Sequence, residues 1–354
     1  MSSSPPSPFA AHFDARTIYL NTAAMGLPPR EVTRSLHEVV DRWATGELRA
    51  AEFDGPVAAA RASFARLVGV SPDTVAINST VSSLVGTVAA SLPRGAEVVC
   101  VEDEFTSLLF PFLVRQQAGE IKVVQKPLEQ VADAIGPSTT LVALSAVQSC
   151  DGRIFDADAI QQACRQFGAQ TLIDATQAVG WLPFDASRYD YVVVGGYKWL
   201  LSPRGTAFMS VRPERMSALT PRDAGWYAGE DVWGSIYGAP LRLAESARRF
   251  DVSPAWFMWL GCAHALELIE RIGVAAIHAH DTRLAALFLA ELDRAPTGSA
   301  IVSVPGTDMM TGLAARGIVV GQRRGGTRFS FHLYNSEADV LAAASVVRSL
   351  GGTR

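Results

Sequence analysis

Along residues 50–212 the sequence alternates between two hydrophobic patterns. Short, mostly apolar runs at 74–77, 98–101, 121–126, 140–147, 171–174, 191–196 and 206–211 read as strands. Between them, 56–68, 80–92, 105–117 and 156–168 carry the spacing of helices. The last of these closes at Gly168, where a glycine adopts the left-handed conformation without steric cost. Upstream, an extended piece at 17–20 leads through the loop NTAAMGLPP into a helix at 30–48. Strands apolar on both faces and interleaved with helices predict an α/β fold, with a mostly parallel central sheet sandwiched by helices.

Beyond residue 212 the pattern changes to a loop rich in Trp, Tyr and Gly (AGWYAGEDVWGSIYG), then a long helical stretch at 254–292. Residues 295–354 read as two strands and a final helix at 336–350, a small α+β lobe. The expected organisation is a loosely ordered tail (1–15), a large domain (16–250), a helical connection (251–294) and a small C-terminal domain (295–354).

Composition narrows the partner. Charged residues make up 19% of the 354, the net charge is −4 and no Lys/Arg block occurs, so neither a nucleic acid nor a membrane surface is expected and a small molecule is. Cys100, Cys150, Cys164 and Cys262 are widely spaced, which argues against a zinc site or disulfide framework and for a reducing cytoplasm. The first residues, MSSSPPSPFAAHF, carry no basic segment followed by an apolar one, and no apolar run approaches the roughly 18 residues that span a bilayer.

Three strand ends carry polar residues that a core does not favour. The 171–174 strand ends in Asp174, with Gln177 following; the 191–196 strand runs into Tyr197-Lys198; the 74–77 strand runs into Asn78-Ser79-Thr80. Each has an ordinary explanation: a turn cap for Asp174, a solvated edge for Lys198, an N-cap for Ser79-Thr80. In a parallel sheet, however, carboxyl ends of strands line the ligand crevice. Hydroxyls at a helix N-terminus suit a phosphate, a buried carboxylate suits a protonated ring nitrogen, and a desolvated lysine suits Schiff-base chemistry. Together they meet the needs of pyridoxal 5′-phosphate.

In IDATQAVG, YKWLLSPRG and RFSFHLYN the sequence resembles the class-V aminotransferases of pyridoxal-phosphate fold type I. That family includes cysteine desulfurases, kynureninases, isopenicillin-N epimerase-like proteins and C–S lyases, and the resemblance runs from about Tyr19 to the final helix. It implies Lys198 as the residue bound covalently to the cofactor, Asp174 as partner of the pyridinium nitrogen and Gln177 as a contact of the ring hydroxyl. It likewise implies Ser79 and Thr80 at the phosphate, Phe105 stacked on the ring, Ser149 near cofactor and substrate, and Arg328 gripping the substrate α-carboxylate. Ser253 matches a hydroxyl residue donated across a homodimer interface to the neighbouring phosphate.

Two departures stand out. Family members often carry Ser and His where this chain has Gly195 and Tyr197, which leaves the phosphate cup short of a donor unless the Tyr197 hydroxyl supplies one. The stretch GIVVGQRRGGTR before Arg328 holds no cysteine, which disfavours cysteine desulfuration. The resemblance therefore implies an enzyme acting at Cα of an amino acid, with transamination ranked first, β-elimination of an S-substituted cysteine second and epimerisation third. Asn21, the aromatic loop with Trp226, Tyr227, Trp233 and Tyr237, and the pair Arg323-Arg324 are expected as pocket walls. His278 and His280 read as surface residues rather than metal ligands, and no metal is expected.

Overall fold

The computed structural model describes residues 7–306 and 309–351. In chain order the elements are β1 (Ile18–Tyr19), α1 (Arg30–Ala44), α2 (Asp54–Leu67), β2 (Val75–Asn78), α3 (Val81–Ser91), β3 (Glu97–Val101), α4 (Thr106–Gln117) and β4 (Lys122–Lys126). There follow β5 (Thr139–Ser145), α5 (Ala157–Phe167), β6 (Gln170–Asp174), β7 (Tyr191–Gly195), β8 (Ala207–Val211), α6 (Trp256–Ile272) and α7 (Val274–Ala290). The last group is β9 (Ile301–Pro305), α8 (Met309–Ala314), β10 (Ile318–Val319), β11 (Gly321–Arg323), β12 (Gly326–Ser330) and α9 (Glu337–Ser349).

A seven-stranded sheet in the order β2-β8-β7-β6-β5-β3-β4 forms the centre. Only β8 runs against its neighbours, so the α/β, mostly parallel expectation holds. The unbroken apolar runs follow from burial on both faces. In β7, Val192 and Val194 join a core with Phe64 of α2, Ile160 of α5 and Trp259 of α6. Tyr191 and Val193 point the other way, into a core with Leu84 and Val88 of α3 and Phe112 of α4. Gly168 takes φ +73° at the end of α5, as its position predicts.

The remaining residues depart further from the sequence pattern. The helical stretch at 254–292 is two helices, parted at Gly273 with φ +85°. The region expected to hold two strands and a helix contains more: β9, β11 and β12 form an antiparallel sheet, with α8 and β10 inserted. β10 pairs in parallel with β1, Ile18 opposite Ile318. Leu20, Leu284 and Phe288 of α7, Phe329, Phe331 and Val340 form a separate core there. Part of the stretch read as a loose tail also packs, for Phe13 is buried and the buried Ser7 hydroxyl donates to the Leu333 carbonyl. Residues 1–6 lie outside the described residues.

Candidate active site

β7 and β8 are joined by residues 196–206, and this connection carries Lys198. Its neck is closed by Gly196 N–H donating to Thr206 O at 2.9 Å and Ser202 N–H donating to Gly196 O at 3.0 Å. Trp199, Leu200 and Leu201 are fully buried, so the loop is pinned by its own apolar residues. Gly26 N–H donates to Tyr197 O at 2.9 Å, and a Cβ at Gly26 would come within 2.1 Å of the Lys198 carbonyl oxygen. The Trp199 indole donates to Gln177 Oε1 at 2.7 Å, and the Trp199 carbonyl accepts from His332 Nε2 at 3.2 Å. His332 Nδ1 in turn meets Asp281 Oδ2 at 2.8 Å, with both side chains fully buried. The lysine segment is thereby held from the N-terminal loop, from the turn after β6 and from His332 beyond β12 at once.

The Lys198 side chain enters a pocket at the carboxyl edge of the parallel strands. Ser79, Thr80, Phe105, Ser149, Asp174, Gln177 and Tyr197 line it with Lys198, so eight of the expected site residues converge there. Lys198 Nζ lies 5.2 Å from the centroid of the Phe105 ring and 5.7 Å from that of Tyr197. Burial pushes the amine down to about 8; Asp174 opposes this, while Arg328, Arg323 and Arg204 add to it. Burial also raises the Asp174 carboxyl, against the pull of Thr176, whose N–H donates to Oδ1 at 2.9 Å. Gln177 is engaged at both ends of its amide, since Nε2 donates to Ala23 O at 2.9 Å. Thr80 is the N-cap of α3, accepting from Ser83 N–H, so its ordinary explanation and its place in the pocket are both true.

Arg328 sits on β12, 1% exposed. Its Nη1 donates to the Ser149 carbonyl, while Nε and Nη2 have no partner among the described residues. Burial, with Arg323 adding to it, lowers this guanidinium to about 10. Asn21 Oδ1 is likewise buried and unpartnered, and a Cβ at Gly321 would lie 2.9 Å from it and 3.4 Å from Arg328 Nη2. Unpaired donors in so dry a place are costly unless a ligand completes them. Arg324, expected with Arg323 as a wall, instead pairs with Asp103 at the start of the β3–α4 connection. Trp233 Nε1 donates to Asp54 Oδ2 at 2.7 Å, beside Trp226 and Tyr227, and no aromatic of that loop lines this chain's own pocket. Ser253 is exposed and lies outside the pocket as well.

A model of the family described as Aminotransferase class-V matches residues 18–311. The chain belongs to the class-V aminotransferase family. Among curated relatives of this class-V protein is an uncharacterized aminotransferase, YcbU, of Bacillus subtilis (strain 168), 33% identical over 62% of the chain and 60% of that relative. Isopenicillin N epimerase of Streptomyces clavuligerus is 31% identical over 64% of the chain. The chain thus spans about three fifths of the length of these two relatives, 60% and 61%. Kynureninase of Stenotrophomonas maltophilia (strain K279a) is 26% identical over 91% of the chain and 83% of that enzyme. Among solved structures, the cystine C–S lyase C-DES shares the fold at TM-score 0.84 and 20% identity, over 94% of this chain and 97% of that one.

The class-V family is dependent on pyridoxal 5′-phosphate, and this chain has the fold type I architecture of that family. Its residues fit the cofactor: a buried amine, a buried carboxylate, an aromatic ring 40% exposed at Phe105, and hydroxyls at the N-terminus of α3. Among the described residues no cluster of His, Cys, Asp and Glu could hold a metal ion.

Sequence patterns did not point to Ser82, Ser107, Ser145, Thr176, Arg204 or Thr206, which also line the pocket. Thr206 precedes β8, and because that strand is antiparallel its first residues share the edge where the others end. Glu104 was missed too. It is buried, and accepts from Phe105 N–H at 2.7 Å, Ser145 N–H at 2.8 Å and Ser145 Oγ at 2.7 Å, which fixes the residue beneath the ring site. One expectation is corrected: His280 is not a surface residue. Phe9 covers it edge to face at 5.4 Å, and burial lowers the imidazole to about 4. His278 is half-buried and stacks on Trp181.

Proposed function

We propose that this class-V enzyme acts at Cα of an α-amino acid and that its reaction is transamination. The observation that carries the proposal is a buried amine in the pocket, Lys198 at about 8, together with a buried guanidinium just outside the pocket lining, Arg328, which is hydrogen-bonded to the pocket residue Ser149 and has two unpartnered donor atoms. Lys198 would tie the cofactor, Asp174 its ring nitrogen, Gln177 its ring hydroxyl, and Ser79 and Thr80 its phosphate, with Phe105 against the ring and Tyr197 and Ser149 beside it. When bound, the cofactor supplies an electron-withdrawing ring that acidifies the substrate's Cα proton. Arg328, with Asn21 beside it, receives the substrate carboxylate as a two-point contact and so fixes which bond at Cα faces the ring. The uncharged fraction of the Lys198 amine, which burial raises to about one in ten at neutral pH, is the base placed to take that proton.

Transamination is supported by the family match and by the relative named as an aminotransferase. With an amino donor alone the enzyme should form one equivalent of oxo acid per site and stop, resuming when a second oxo acid is added. Continuous release of pyruvate and ammonia from an S-substituted cysteine without oxo acid would overturn this in favour of a C–S lyase. Exchange of the Cα hydrogen with loss of chirality but no oxo acid would favour an epimerase. The absence of cysteine from residues 317–328 argues against persulfide transfer in any of these cases.

The working form is a homodimer in which Ser253 of each subunit reaches the other's phosphate. Its exposure outside its own pocket supports this, as does the exposed apolar surface at Tyr237 and Leu241. Sedimentation showing a monomer at assay concentrations would sink it. All four cysteines are unpaired, which supports a cytoplasmic setting.

A further inference from the structure

At the phosphate end of the site the two departures from the family pattern turn out to be one packing arrangement. A Cβ at Gly195 would lie 3.3 Å from Tyr197 Cε1, 3.4 Å from Thr176 Cγ2 and 3.5 Å from Val81 Cγ2. Position 195 therefore faces the first residue of α3, and a Cβ there would sit in tight contact with the tyrosine ring. The same ring carries a cation. Arg204 Cζ lies 5.1 Å from the Tyr197 centroid. Arg204 lines the pocket together with Ser79, Thr80, Ser82 and Thr206, two residues along from it. Ala207, next to Thr206, pairs with Asn78 directly before those hydroxyls, so the turn bearing Arg204 stands beside the N-terminus of α3. Arg204 is exposed, and among the described residues no hydrogen bond or ion pair engages its guanidinium, which leaves its donors free for a ligand.

We infer that Arg204 is a ligand of the cofactor phosphate in this enzyme, held in place by the Tyr197 ring and standing in for the hydroxyl that Gly195 cannot offer. The hydroxyls and helix N–H groups at this end are neutral, whereas a phosphate dianion is bound most strongly by a charged, planar fork. Stacking on an aromatic face leaves the edge of a guanidinium free to donate, which is the geometry such a contact needs.

The inference rests on the cofactor assignment, and the test separates the two. Apoenzyme is titrated with pyridoxal 5′-phosphate and, in parallel, with pyridoxal, which lacks the phosphate; the readout is equilibrium affinity rather than turnover. Wild-type protein that binds neither compound would fault the cofactor assignment itself. Arg204→Gln should weaken the phosphate compound by roughly 10- to 100-fold, the range for a hydrogen bond to a charged group. Its affinity for pyridoxal should stay within about twofold, and Arg204→Lys, which keeps a point charge without the fork, should fall between. Equal losses for both compounds would mean that Arg204 only shapes the loop, and an unchanged affinity for the phosphate compound would mean that it plays no part; either result overturns the inference. If Arg204→Gln does not fold, Arg204→Lys decides on the same ratio.

Discussion

Lys198 offers the sharpest test of the electrostatics, because burial shifts its amine from 10.5 to about 8. Such a difference multiplies the uncharged fraction at neutral pH by roughly 300, from about one molecule in 3000 to about one in ten. Lys122, Lys126 and Lys198 are the only lysines in the sequence, so reductive methylation of the apoenzyme can be read at each by mass spectrometry. Lys122 and Lys126, on the exposed edge strand β4, report how fast the reagent decays. The Lys198 rate should climb about tenfold per pH unit and level off near pH 8. Two substitutions should move that midpoint in opposite directions. Asp174→Asn removes the attraction that favours the ammonium form and should lower it; Arg328→Gln removes a repelling charge and should raise it. A rate still rising through pH 10 would refute the reasoning, as would a common direction for both variants.

Arg328→Lys should cut kcat/KM for amino acids by roughly 10- to 100-fold, since a point charge cannot replace a two-point contact, while the absorbance of bound cofactor stays intact. His332→Ala strips the fully buried Asp281 of its partner and should cost about 3–5 kcal/mol, seen as a lower urea midpoint. Gly26→Ala drives a methyl to within 2.1 Å of the Lys198 carbonyl oxygen and should abolish cofactor uptake by equilibrium dialysis even where circular dichroism shows folded protein. Asp103→Ala breaks a pair whose side chains are 58% and 55% exposed, so the melting temperature should change by no more than about 1 kcal/mol implies.

The central sheet was legible because strands covered on both faces leave continuous apolar runs, and Val192 and Val194 against Tyr191 and Val193 show the two faces sharing one run. The strand-end residues were legible for the same reason, since Asp174 and Lys198 are polar where that run stops. What stayed hidden depends on contacts between distant residues. Nothing local to Ile18 announces a partner at Ile318. His280 looks solvated beside His278 until Phe9 is laid against it, and Glu104 looks like a loop carboxylate until Ser145 arrives from β5. Arg204 escaped because a Pro-Arg-Gly turn reads as a surface connection, while only the direction of β8 brings it to the site.

The pairing of β1 with β10, and the bridge from Asn21 to Ser330, also bear on the order in which the molecule can be completed during synthesis. The central sheet closes once β8 has emerged, yet the strand leading into Asn21 must wait for residue 318 before it has a neighbour. Contacts so remote in sequence form late and slowly. Leu20, which ends in the small lobe's core, has until then no apolar surroundings to enter. The corner where Asn21 and Arg328 stand side by side is therefore among the last parts of the enzyme to exist. A nascent chain can own a nearly finished cofactor cradle, with Lys198 already in it, while still lacking the means to hold an amino acid's carboxylate.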